Sequence, residues 1–225
     1  MAIAFVKQDS NGGGSGTTTC TFTGSTTSGN LIVVGISIED STSTVSSVSS
    51  VTDSKGNTYQ AATSISAVWN TNRRIQIYYA YNITGGASHT VTVTISGGST
   101  RVNAVVNEYS GVLSATNPLD VTSSGSAGDD PNTGSATTTT DGSLIYSVVA
   151  AAGTLTAGAG GFTKRNEYVF NIYTASEDRV QTTAGSVSAG WTTSGTATGI
   201  AQMATFKDAA AATATLRKMC VLGAG

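Results

Sequence analysis

Apolar and polar residues alternate along much of the chain. In "RIQIYYAYN", Ile75, Ile77, Tyr79 and Tyr81 fall on one face of an extended segment, and Gln76, Tyr78 and Asn82 on the other. In "HTVTVTIS", Val91, Val93 and Ile95 oppose Thr90, Thr92 and Thr94, and the intervening "ITGGAS" reads as a Gly-containing hairpin connection. "RVNAVVNEY" predicts a further strand. "NLIVVGISI" is more continuously apolar, as a central strand covered on both faces would be. "VTDSKGNTYQAAT" reads as strand, turn at Lys55-Gly56-Asn57, strand. Short strands separated by frequent turn signals predict an all-β sandwich or barrel.

The pattern is written twice. "FVKQDSNGGGSGTTTCTFTGSTTSGNLIVVGISI" begins at Phe5 and "LDVTSSGSAGDDPNTGSATTTTDGSLIYSVVAAA" at Leu119. Each runs from an opening strand through a Gly/Ser-rich loop and a Thr-rich strand to "SGN" or "DGS", then an apolar strand. Downstream, Ile77 aligns with Ile172, Ile95 with Trp191 and Tyr109 with Phe206. The repeats span about 1–111 and 112–208, joined by "GVLSATNP", with 209–225 left as a tail. An amphipathic sheet must bury one face against another layer. Two copies therefore mean two tandem antiparallel sandwiches, jelly-roll or Ig-like, or two halves of one larger sandwich. The tandem reading is the expectation, because each copy has enough strands to close its own core.

The tail, "DAAAATATLRKMCVLGAG", lacks a helical apolar stripe. Its Leu216, Met219, Val221 and Leu222 are candidate partner contacts: the tail reads as a frayed end or a strand docked on its own sandwich, or else as an arm that adds to a neighbour's sheet edge.

Composition supports strands. The chain is rich in Ser and Thr, and only 11% of its 225 residues are charged against 39% hydrophobic, which fits neither a helical enzyme surface nor a self-repelling disordered chain. A net charge of −2 without a basic block argues against nucleic-acid binding. No signal-peptide pattern opens the chain and no apolar run is long enough to span a membrane, so synthesis and folding in a cytoplasm are expected. Cys20 and Cys220 are expected as free thiols, with a bridge between them as the alternative.

Candidate chemistry is sparse. The single histidine, His89, opens a strand after a Gly-rich turn, and no serine sits in a G-x-S-x-G elbow. It is expected as a solvent-exposed strand end. The acidic pairs Glu39-Asp40, Asp129-Asp130 and Glu177-Asp178 are expected as turn formers; neither a glycosidase pair nor a calcium loop has this spacing. The glycine clusters form no phosphate loop. No catalytic, cofactor-binding or metal-binding residue is therefore expected. Aromatics offer the remaining ligand surface: Tyr78, beside Tyr79 and Tyr81, with Trp69, or Tyr168 with Tyr173 and Trp191, as core packing or as a sugar-stacking platform.

The phrases "GNLIVVGISI", "SSVTDSKGNTYQAA", "IYYAYNITGGASHTVTVTIS", "VNEYSGV" with "NPLDVTSSG", and "ASEDRV" resemble β-sandwich modules of bacteriophage structural proteins and of large bacterial surface proteins, over about residues 17–208. The resemblance implies a non-enzymatic virion component: a capsid decoration, fibre or tail-associated subunit. Its partners would be other virion proteins and copies of itself in an oligomer or lattice, with no nucleic acid or membrane. The alternative is a carbohydrate-binding or host-cell adhesion module that uses the strand tyrosines to bind a surface glycan.

Overall fold

The computed structural model describes residues 2–14, 16–40, 46–64, 72–97, 100–125, 127–195 and 197–209. Trp69, Leu216, Met219, Val221 and Leu222 lie outside the described residues, as does Cys220, so the platform containing Trp69, the arm and the Cys20–Cys220 pairing do too.

The protein is all-β, built from several antiparallel sheets. The first half contributes β1 (Ala4–Gly13), β2 (Thr17–Thr21), β3 (Leu31–Asp40), β4 (Val48–Asp53), β5 (Gln60–Ala61), β6 (Arg73–Ala80), β7 (Thr90–Ile95) and β8 (Thr100–Ser110). The second contributes β9 (Leu119–Ser124), β10 (Gly128–Asp129), β11 (Ala136–Thr137), β12 (Ser143–Ala151) and β13 (Leu155–Ala157). It continues with β14 (Thr163–Phe170), β15 (Ile172–Gln181), β16 (Ser186–Val187), β17 (Trp191–Thr193) and β18 (Thr198–Phe206).

Strand order is β1-β8-β3-β6-β5 in one large sheet and β9-β18-β12-β15-β14 in the other, with β10 also on β18. A smaller layer, β2-β7-β4, covers the first sheet. Two short ribbons, β11-β16 and β13-β17, accompany the second. The ladders set the correspondence between halves. Leu31 pairs with Tyr109 and Tyr109 with Phe5, while Leu144 pairs with Phe206 and Phe206 with Leu119. Four residues further along β3 and β12, Gly35 pairs with Ile77 and Val148 with Ser176. Ile77 thus corresponds to Ser176 rather than to Ile172. A four-residue slip keeps every side chain on its own face, so apolar alternation alone does not detect it.

Alternation also explains the layering. Along β3, Leu31 and Val33 face the second large sheet, whereas Ile32, Val34, Ile36 and Ile38 face the small layer. Both sides of this central strand are buried, as its continuous hydrophobicity predicts. Each half keeps a core beneath its outer layer. The most extensive core, however, lies between the two large sheets and mixes Val33, Ile77, Tyr79 and Val105 with Tyr146, Val148, Ile200 and Phe206. The halves have cores of their own and also share one.

Contacts across the shared core are reciprocal, in the manner of a two-fold axis. Gly35 faces Val148, its own counterpart. Tyr109 donates a 2.6 Å hydrogen bond to Asp178, and their counterparts Phe206 and Tyr79 pack edge-to-face with centroids 5.3 Å apart. Chemistry breaks this symmetry. On one side, Asn103 meets Thr174 at 3.1 Å and Asn107 meets Ser176 at 3.0 Å. On the other, the corresponding places hold Ile200, Ile75, Ala204 and Ile77, all buried in the shared core. Polar meets polar and apolar meets apolar, so neither half's face is complementary to itself.

Candidate functional site

His89 precedes β7 and shares the inward face of Val91, Val93 and Ile95, two residues apart along the strand. It is wholly buried, which corrects the expectation of an exposed strand end. Its ring packs edge-on to Phe22. Its Nε2 lies 2.8 Å from Asp53 Oδ2 and its Nδ1 2.7 Å from Thr26 Oγ1. A hydroxyl, an imidazole and a buried carboxylate in series have the connectivity of a nucleophilic triad. Thr26 Oγ1, however, already accepts the Gly86 amide at 3.2 Å, and Thr26 is itself 4% exposed. A hydroxyl sealed beneath the surface cannot reach a substrate. Asp53 works instead as the hub of the Lys55-Gly56-Asn57 turn: it accepts hydrogen bonds from the amides of Lys55 and Asn57, the Asn57 side chain and the Tyr59 hydroxyl. Burial alone would raise its pKa, but these bonds and His89 outweigh burial and hold it below the usual range.

Two of the three acidic pairs depart from their expected place in turns, and Asp129-Asp130 keeps to it. Glu39-Asp40 ends β3 and Glu177-Asp178 lies within β15, all four buried; Asp129 closes the short β10 and Asp130 follows it. Adjacent strand residues point to opposite faces, so each pair divides its work. Glu39 accepts from Arg73, Arg101 and, across the halves, Asn171. Burial pushes its pKa up, yet these partners prevail and hold it low. Glu177 faces the outer ribbons, where its Oε2 accepts the Gly158 amide at 2.9 Å and its Oε1 has no partner among the described residues. Burial, reinforced by neighbouring Asp178, pushes it up to about 8.

Asp178 faces the other way, into the seam between the large sheets. Arg165 grips it with two 2.8 Å hydrogen bonds, from Nε and Nη2, and rests 4.3 Å above the Phe5 ring. Arg165 is free to do so because a bulge between Lys164 and Asn166 takes it out of the ladder. Beside this pair opens a cleft of about 410 Å³, lined from the first half by Phe5 and Tyr109 and from the second by Thr163, Arg165, Arg179 and Val180. Gly160 and Gly161, with φ of +86° and +83°, form the tight turn at its rim. Sequence reading missed this site. Its signal was the lapse of the apolar pattern at "TKRNEY" and "ASEDRV", where charges occupy strand positions. A second cleft, of about 380 Å³, lies in the loop around Asp129 and Asp130. Their carboxylates accept hydrogen bonds from Thr198 and from the Thr193 amide.

Tyr78 and Tyr168 are not brought together. Tyr78 is half-buried against the core beneath β2-β7-β4. Tyr168 lies on β14 against Gly12 of the first half, where any added Cβ would meet its ring at 2.4 Å. Trp191, proposed beside Tyr168, is buried and donates its indole N–H to Ser147. Among the described residues no cluster of three or more His, Cys, Asp or Glu could hold a metal ion, and no helix is long and apolar enough to cross a membrane. No family model, curated protein or solved structure matches the chain.

Proposed function

We propose that the chain is a non-enzymatic structural protein of a bacteriophage virion, a capsid decoration, fibre or tail-associated subunit acting through repeated protein–protein contacts. In this reading it consists of two jelly-roll or Ig-like repeats, 1–111 and 112–208, with 209–225 as an arm toward a neighbouring subunit. The observation that carries it is the sealing of His89, Asp53 and Thr26: this triad-like set of side chains serves the fold and is closed to substrate. The outer face of β2-β7-β4 also favours it. That face presents Thr17, Thr19, Thr21, Ser50 and Thr52 beside Thr90, Thr92 and Thr94, an uncharged surface suited to close packing between neighbours. Mass spectrometry of purified particles tests the reading: stoichiometric abundance of this chain supports it, and absence from particles refutes it.

A glycan-binding adhesion role is the second reading. What favours it is the arginine-lined seam cleft rather than the tyrosine faces on which the sequence reading placed it.

A further inference from the structure

The two-fold relation between the halves singles out the seam cleft. Asp178, Tyr109, Val180 and Phe5 correspond to Tyr79, Phe206, Tyr81 and Leu119. Thr163 corresponds to Gln60, which places Arg165, two residues on, at the position of Ala62. On the Tyr79 side the seam is filled. Tyr79 packs against Phe206 at 5.3 Å and Tyr81 at 6.3 Å, and its hydroxyl is capped by Asn117 at 2.8 Å. On the Asp178 side Asp178 and Val180 stand where Tyr79 and Tyr81 do, and an ion pair and an open cleft take the place of their two rings. The same backbone framework supports both, so the opening follows from side-chain choice.

The ion pair fixes a guanidinium in place. Asp178 is 3% exposed, holds Arg165 at two nitrogens and is itself held by the Tyr109 hydroxyl. Phe5 supports the guanidinium from one face. Among the described residues, Arg165 Nη1 and the second Nη2 hydrogen have no protein partner, and the side chain is 26% exposed. Arg179 supplies a second cation. It stacks on Phe162, donates to the Gly160 carbonyl at 2.6 Å, and has no carboxylate within ion-pairing distance among the described residues. Arg179 leaves β15 on the face opposite Asp178 and reaches the rim of the cleft at Gly160, so a further cation stands at the edge of a cleft that already holds the Arg165–Asp178 pair. The exposed Thr163 and the 41%-exposed Val180 add a hydroxyl and an apolar wall.

We propose that this cleft binds a carboxylate-bearing saccharide, with the acid group on the free edge of Arg165 beside Arg179 and the sugar's apolar face on Val180. Planar guanidiniums held by buried partners suit bidentate carboxylate recognition. A cleft of about 410 Å³ accommodates a ligand of sugar size rather than a bare ion. The proposal goes beyond the structural role, which makes no use of the cleft.

Titration of the full chain with trigalacturonate, followed by amide NMR, tests it. Saturable shifts at Gly160, Gly161 and Thr163 are expected, with none from neutral galactotriose at the same concentration. Arg179→Gln, which leaves the Arg165–Asp178 pair intact, should weaken binding about tenfold or more through loss of a charge-assisted contact. Val180→Trp, a substitution at an exposed position, should block the cleft. Absence of saturable trigalacturonate binding overturns the proposal, as does equal binding by both folded variants. Equally strong competition by inorganic sulfate overturns the saccharide assignment.

Discussion

Gly35 and Val148 stand opposite each other at corresponding places in β3 and β12, and a methyl group on Gly35 would lie 2.6 Å from Val148 Cγ2. Val105 Cγ2 and the Tyr146 hydroxyl would lie at 2.9 and 3.0 Å. The glycine's backbone is ordinary extended strand; what it supplies is the absence of a side chain where the opposite large sheet leaves no room for one.

Gly35→Ala should therefore destabilise the protein by about 1–3 kcal/mol through overpacking. Val148→Ala should relieve part of that cost in the double variant. Urea denaturation of the four proteins in a mutant cycle measures the coupling. Additive effects would mean that the two positions do not press on each other.

Asp53→Ala should cost roughly 2–4 kcal/mol at neutral pH, because four donors around the turn and His89 lose a buried acceptor. The folded state holds the Asp53 pKa below its ordinary value. Its stabilisation is therefore present above the ordinary aspartate range and lost as pH falls through the folded value. Denaturation curves of wild type and Asp53→Asn should accordingly converge in acid. An unchanged gap would remove Asp53 as the titrating group.

Glu177 has the opposite sign. Its folded pKa, about 8, lies above the ordinary value of 4.5, so its neutral form favours the fold. That contribution is complete below about pH 4.5 and declines as pH rises toward 8. Glu177→Gln should flatten this part of the stability–pH profile and unfold at higher denaturant than wild type above pH 8. Parallel profiles for the two proteins would contradict the assignment.

Burial pushes the Cys20 thiol up to about 12, with the charge of Asp9 adding to the effect. Thiolate, the reactive form, is then scarce at pH 8. In a Cys220→Ser background Cys20 should resist a thiol reagent in the native protein and react stoichiometrically once denatured. Rapid native labelling would show the site to be open.

Much of this architecture was legible in the sequence. Period-two alternation placed Ile75, Ile77 and Tyr79 on one face of β6, and the continuous apolar run at Leu31–Ile38 marked a strand covered on both sides. His89 lies two residues before Val91 on the inward face, so its burial was also readable, although the glycines before it suggested an exposed loop end. The seam cleft was not legible. Arg165, Asp178, Phe5 and Tyr109 come from four strands, and their meeting depends on how the large sheets stack.

The sequence by itself determined that the chain makes strands, that a similar set of them recurs, and which residues of each strand share a face, because these depend on neighbours one or two residues apart. Only the tertiary structure decided that the large sheets bury their faces against each other, that Asn107 meets Ser176 while Ile77 lines the apolar side, and that one end of the seam stays open. Those outcomes turn on contacts between strands far apart in the chain, where the choice of a polar or an apolar side chain selects which surfaces close.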